Sequence, residues 1–272
     1  MNKMKIAGLL GGVLLLCGAQ AQADITWSFG GATSESGTVG NTISKTSGTV
    51  MVTAQAWANT NDGTVGSLGS NSSDAAKITA ENAYKLETAY LNVYSGGLGV
   101  KNQDASGSSS VGDQNDGTSP EHATDNNQRY DSVLFKFDSA IDLNSVTIGW
   151  WTVDSDISVL RYNGVGDASN QAGKTYAQLL TSGWSLVSQN ASSTATTKNL
   201  DGTTASSYWL IGAANSLLGT TMDGTGDYVK ISTIAGTKAN GAPEPGTMLL
   251  MGAGLLGLAR MSRRNPARSL AA

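Results

Sequence analysis

Lys85-Leu86-Glu87-Thr88-Ala89-Tyr90-Leu91-Asn92-Val93-Tyr94 is the stretch that decides the fold. Apolar and polar side chains take turns along it, and a period of two sends neighbours to opposite faces of a strand. A helix would repeat every 3.6 residues instead. Val50-Met51-Val52-Thr53-Ala54-Gln55-Ala56-Trp57 alternates in the same way. Further short runs rich in β-branched and aromatic residues are Asp131–Asp138, Val146–Val153, Ile157–Tyr162, Tyr208–Gly212 and Tyr228–Thr233, each bounded by Gly, Asn or Asp. Short strands at this spacing predict a mainly β fold, an antiparallel β-sandwich of jelly-roll-like form. One short helix is expected over Thr175–Leu180, ending before Gly183. Asn59–Asp74, Gln103–Asn127 and Gln189–Thr204 read as long polar loops.

Outside this body the two ends have their own character. Lys3 and Lys5 precede an apolar stretch from Ile6 to Leu16, and Ala21-Gln22-Ala23 stands before Asp24. That is the layout of a secretory signal peptide over residues 1–23, cleaved after Ala23. Leu16 sits where a lipidation site at Cys17 would want a small residue. With the leader gone the body has no cysteine, so an exported domain must rely on its core or on bound ions.

At the other end, Pro243-Glu244-Pro245 is followed by an uncharged run from Gly246 to Ala259, including Leu249, Leu250, Leu255 and Leu256. Arg260, Arg263, Arg264 and Arg268 come next. The prolines hold the chain extended. As a helix the apolar run rises about 21 Å, short of the roughly 30 Å of a bilayer core, so it is a short transmembrane helix. Arg260 can snorkel to the interface, and the one-sided arginines place the C-terminus in the cytoplasm.

This arrangement resembles the PEP-CTERM sorting signal of proteins that Gram-negative bacteria pass to an exosortase, a membrane-embedded processing enzyme. The resemblance covers residues 241–268 and makes residues 24–240 the exported domain. A second resemblance covers roughly residues 85–190. Tyr90–Val100, Ser119-Pro120-Glu121-His122-Ala123, Asp125-Asn126-Asn127, Arg129–Leu134, Asp154–Leu160 and Gly173-Lys174-Thr175 with Gly183-Trp184 are similar to the XDP group of exosortase-dependent surface proteins. These likenesses imply passage through the secretion translocon and transient anchoring in the inner membrane with the body in the periplasm. Processing at Pro243-Glu244-Pro245 would follow, then a place at the cell surface or in an exopolysaccharide or biofilm matrix.

Charge narrows the partners. Six of the 17 basic residues lie in the leader or the tail, which leaves the body clearly acidic. Nucleic acid is excluded on this ground. Catalytic signals are weak. The single histidine, His122, has no nucleophile-elbow pattern to serve. Ala168–Thr175 nearly fits the phosphate-cradling G-x-x-x-x-G-K-[ST] loop, but its first glycine is Ala168. The expectation is a protein that is not an enzyme and needs no cofactor.

Carboxylates carry what chemistry remains. Asp154 and Asp156 just after Trp150-Trp151, and Asp125, which with Asn126 and Asn127 precedes Tyr130, are the candidate ligands for calcium, a hard cation that takes several oxygen donors. Asp223-Gly224 and Gly226-Asp227 form another acidic, Gly-rich group. Against the ion stands the commoner use of such residues, Asp and Asn capping their own turns. Of the adjacent Trp150 and Trp151, one ring must point outward and offers a sugar-stacking face. Two other classes therefore stay open: a secreted carbohydrate-binding module, and a secreted glycan hydrolase using paired carboxylates.

Overall fold

The computed structural model describes residues 24–31, 38–61, 84–103, 122–127, 129–189, 193–200, 204–219, 226–239, 252–258 and 260. The body is mainly β and antiparallel. Its strands are β1 (Ile25–Ser28), β2 (Thr42–Ser47), β3 (Val50–Asn61), β4 (Lys85–Thr88), β5 (Tyr90–Tyr94), β6 (Gly97–Lys101), β7 (Thr124–Asp125), β8 (Asp131–Thr152), β9 (Ile157–Tyr162), β10 (Trp184–Gln189), β11 (Thr197–Asn199), β12 (Ser206–Ala213) and β13 (Tyr228–Lys238). The helix α1 spans Tyr176–Thr181.

β8 is the trunk. The runs expected as two strands, Asp131–Asp138 and Val146–Val153, are joined into one strand of 22 residues. Its first half pairs with β3 and β12, its second half with β13 and β11. Along the first half Val133, Phe135 and Phe137 are buried on one face; Leu143 continues that odd phase, and then Val146 and Ile148 take the even one. The switch coincides with a bulge. Ala235 of β13 pairs with Ser145 and Gly236 with Leu143, so Asn144 has no partner there. One inserted residue flips every later side chain to the other face, and the core stays continuous because the strand turns with it.

All thirteen strands form one hydrogen-bonded network. Aromatic contacts link strands that are not neighbours in it. Trp27 of β1 pairs with Ile234 of β13, yet its ring meets Phe137 of the first half of β8 edge-on at 5.0 Å. Phe29 reaches Phe135 in the same way, at 5.6 Å. Val50, Val52, Ala54 and Ala56 of β3 close this interior, alternating with the half-buried or exposed Met51, Thr53 and Gln55. The period-two reading of that stretch holds.

A second apolar layer covers the opposite face. Leu134, Leu160 and Leu210, each next in sequence to a residue of the main core, pack with Trp57, Tyr176, Leu179 and Trp184. Hence Asp131–Phe135 is buried on both sides. Thr175 caps α1: its hydroxyl accepts the Gln178 N–H, and the Gln178 side chain accepts the Thr175 N–H, a reciprocal capping box. Gly183, at φ +94°, follows the helix in the left-handed region.

Three loop expectations need correction. Asn59, Thr60 and Asn61 belong to β3, because Asn59 N–H donates to the Tyr130 carbonyl and Asn61 pairs with Lys85 of β4. The stretch Gln103–Asn127 contains β7, held by β13. The stretch Gln189–Thr204 contains β11, held by β8.

Candidate metal centre

The chain leaves β8 at Thr152 and re-enters a strand at Ile157, and the four residues between carry the site. Val153 is 56% exposed and sits at φ +67°, a conformation a β-branched residue rarely takes. It turns the chain so that Thr152 and Asp154 make a bridge and Asp154 points back into the protein. Asp154 Oδ1 lies 3.4 Å from the Asp156 N–H, and Ser193 N–H donates to Asp156 Oδ1 at 2.8 Å.

Asp227 arrives from elsewhere, immediately before β13. Asn126, just after β7, holds it: its Nδ2 donates to Asp227 Oδ2 at 2.7 Å, and Asp227 N–H donates to Asn126 Oδ1 at 2.8 Å. The same Nδ2 donates to the Ala214 carbonyl at the end of β12, and Ala214 N–H donates to the Asp156 carbonyl. The ends of five strands thus converge. Carboxylate oxygens of Asp154, Asp156 and Asp227 lie within 4.8 Å of one another.

Burial sets the electrostatics. Asp154, Asp156 and Asp227 are 7%, 1% and 0% exposed. Desolvation, then a hydrogen bond shared with the Asp154 carboxyl and the charges of Asp154 and Asp156, push the Asp227 carboxyl up to about 9, against the opposing hydrogen bond from Asn126. Asp227 Oδ1 meets no hydrogen-bond donor. Lys198 of β11 brings the nearest positive charge, but its ammonium donates to Ser155 Oγ at 2.9 Å and Ser193 Oγ at 2.8 Å. Burial pulls the Lys198 ammonium below its ordinary range, and the three aspartates act on it in the opposite sense.

Asp154 and Asp156 therefore meet a carboxylate that came from the second acidic group, not Asp125. Asp125 lies on β7 opposite Tyr228, and its Oδ1 accepts the Asn127 N–H, as in a self-capping turn. Its neighbour Asn126 is the residue that reaches the cluster. The only sequence hint of Asn126 was its place among Asp125, Asn126 and Asn127.

The other candidates lie apart from this cluster. The His122 ring packs against Tyr94 at 4.9 Å. In the phosphate-loop look-alike, Gly173 N–H donates to Leu86 O and Lys174 O accepts from Leu86 N–H, so the backbone serves β4. Lys174 Nζ donates to Gln171 Oε1. Trp151 packs on the main core, while Trp150 shares Lys230 with Tyr94, the ammonium standing 4.5 Å from each ring. A shallow cleft elsewhere is lined by Tyr162, Asn163, Ser206 and Tyr208, with the two phenol rings edge to face at 5.9 Å.

Of the tail, residues 252–258 are helical, with Leu255 and Leu256 exposed, and Arg260 is exposed as well. Among the described residues no helix is long and apolar enough to cross a membrane. Ala21, Ala23, Pro243, Glu244, Pro245, Gly246, Leu249, Leu250, Ala259, Arg263 and Arg264 lie outside the described residues. Residues 242–264 match the PEP-CTERM protein-sorting motif. The chain carries an exosortase sorting signal. A PEP-CTERM motif marks an exported protein whose sorting depends on an exosortase, a membrane enzyme that processes the tail. No curated protein and no solved structure shows a significant match to this chain.

Proposed function

We propose that this is a non-enzymatic protein of the cell surface or extracellular matrix, associated with exopolysaccharide or biofilm and delivered there by exosortase processing. The motif at 242–264 carries the reading. The Sec-type leader over residues 1–23 and the likeness of residues 85–190 to the XDP group support it. For the body we infer a jelly-roll-like sandwich closed from one sheet, on the strength of the Trp27–Phe137 and Phe29–Phe135 contacts.

The case against a glycan hydrolase rests on access. Paired catalytic carboxylates must flank a sugar chain, and the Asp154, Asp156 and Asp227 carboxylates are too deeply buried to do so. A carbohydrate-binding role is the second reading, favoured by the tyrosine-lined cleft at Tyr162 and Tyr208, where an aromatic face adjoins amide and hydroxyl groups. Expression in paired hosts with and without an exosortase tests the first reading. The body should reach the surface or medium only in the first host and stay in the inner membrane in the second. The same distribution in both would defeat it.

A further inference from the structure

We propose that Asp154, Asp156 and Asp227 bind one calcium ion, which pins the ends of β8, β9 and β13 together. Three observations carry this. The donor set is oxygen only, the choice of a hard cation. Ligand oxygens about 2.3–2.6 Å from a common ion must lie within about 5 Å of one another, and these do, within 4.8 Å.

The third observation is independent of the clustering. Asp227 has no exposed surface, and its Oδ1 meets no donor, although Asn126 satisfies Oδ2 and the backbone N–H. Buried polar atoms in folded proteins are nearly always partnered. An oxygen held this firmly beside two further carboxylates calls for a cation or a shared proton, and the oxygen cluster is the right size for a cation. Lys198 does not fill the role: its ammonium donates to the hydroxyls of Ser155 and Ser193 and does not reach Asp227 Oδ1. Calcium suits the place better than magnesium. It accepts irregular geometry and bidentate carboxylates, whereas magnesium demands a near-ideal octahedron and keeps its waters. The body has no disulfide to tie these strand ends, its one cysteine being Cys17 in the leader.

The rival arrangement is a proton shared between Asp227 and Asp154. Calorimetry on the full chain in detergent, stripped with EDTA, separates the two. Calcium chloride should raise Tm in step with the logarithm of its concentration above Kd, by roughly 5–10 °C at a hundredfold excess, with magnesium weaker and potassium chloride at equal ionic strength without effect. Equilibrium dialysis against radioactive calcium should find one ion per chain. Asp227→Asn keeps the Asn126 contact and should abolish both signals, while Asp167→Asn, at an exposed carboxylate elsewhere, should keep them. A wild-type chain that gains no stability and binds no calcium at millimolar concentration overturns the proposal. So does a folded Asp227→Asn variant that binds calcium as well as wild type. Should that variant fail to fold, the wild-type stoichiometry alone decides.

Discussion

Asn126 and Asp227 clasp each other twice, side chain to side chain at 2.7 Å and backbone to side chain at 2.8 Å, across 101 positions of sequence. The clasp fixes a buried carboxyl at the mouth of β13 and ties it to β7 and, through Ala214, to β12. Replacing Asn126 by Ala strips that carboxyl of its donor. Leaving a buried polar group without its partner costs about 1–3 kcal/mol, so Asn126→Ala should lower the free energy of urea unfolding by about that much at neutral pH. Unchanged unfolding would mean that the clasp carries no stability.

The hairpin from Tyr94 to Gly97 makes a sharper test of backbone. Gly97 sits at φ +122°, and a Cβ there would run into the backbone of Ile231 and Ser232. Gly166 also has a positive φ, +95°, but open space around it. Gly166→Ala should therefore cost only the left-handed penalty of about 1–2 kcal/mol. Gly97→Ala should cost clearly more, since β6 and β13 must move apart. Equal losses of Tm in the two variants would contradict this reading.

Acid stability should depend on Asp167. Hydrogen bonds from the Ser169 side chain, the Tyr208 hydroxyl at 2.8 Å and the Ser169 N–H hold its carboxyl well below the ordinary 3.8, with Lys136 a lesser influence. A depressed carboxyl pKa stabilises the fold above the unfolded value and loses that contribution as pH falls through the folded one. Asp167→Asn should leave a shallower fall of Tm below about pH 4 than wild type shows. Parallel acid limbs in the two proteins would rule the contribution out. Because the group is exposed, the effect should also shrink with added salt.

The loop before α1 yields a fourth expectation. Thr175→Ala removes the hydroxyl that accepts the Gln178 N–H and with it half of the capping box. Such losses cost about 1 kcal/mol, and Thr175→Ser should recover most of it in the same denaturation series.

How much of this could be read from the chain follows from where alternation survives. Val50–Trp57 is a half-buried strand whose faces differ, and it declared itself; Lys85–Tyr94, read as one alternating strand, is instead broken at Ala89 into β4, which pairs with β3, and β5, which pairs with β6. β2, Thr-Ile-Ser-Lys-Thr-Ser, buries none of its residues fully and shows no apolar face, so nothing in its sequence marks it as the partner of β3. β11 has three residues, Thr197-Lys198-Asn199, of which only Lys198 is buried. β8 was read as two runs, Asp131–Asp138 and Val146–Val153, and the bulge at Asn144 falls in the gap between them.

The site was half legible for a related reason. Asp154 and Asp156 stand two apart before a strand, a local pattern. Asp227 lies far along the chain and joins them only because β13 runs antiparallel beside the second half of β8. Asp125 and Asn126 are neighbours, and the side that each presents at the end of β7 decides which one reaches the cluster. Only the register of β7 on β13 settles that choice.

The central claim is that the tail is a processing signal and not a permanent anchor, and intact mass tests it most directly. The protein would be recovered from the cell surface or medium, beside a variant with Pro243, Glu244 and Pro245 replaced by Ala. The account predicts a wild-type chain that begins at Asp24 and ends near the Pro-Glu-Pro step, and a variant that stays in the membrane with Arg268 and Ala272 attached. If both proteins keep Ala272, the tail is an ordinary anchor and the account is wrong.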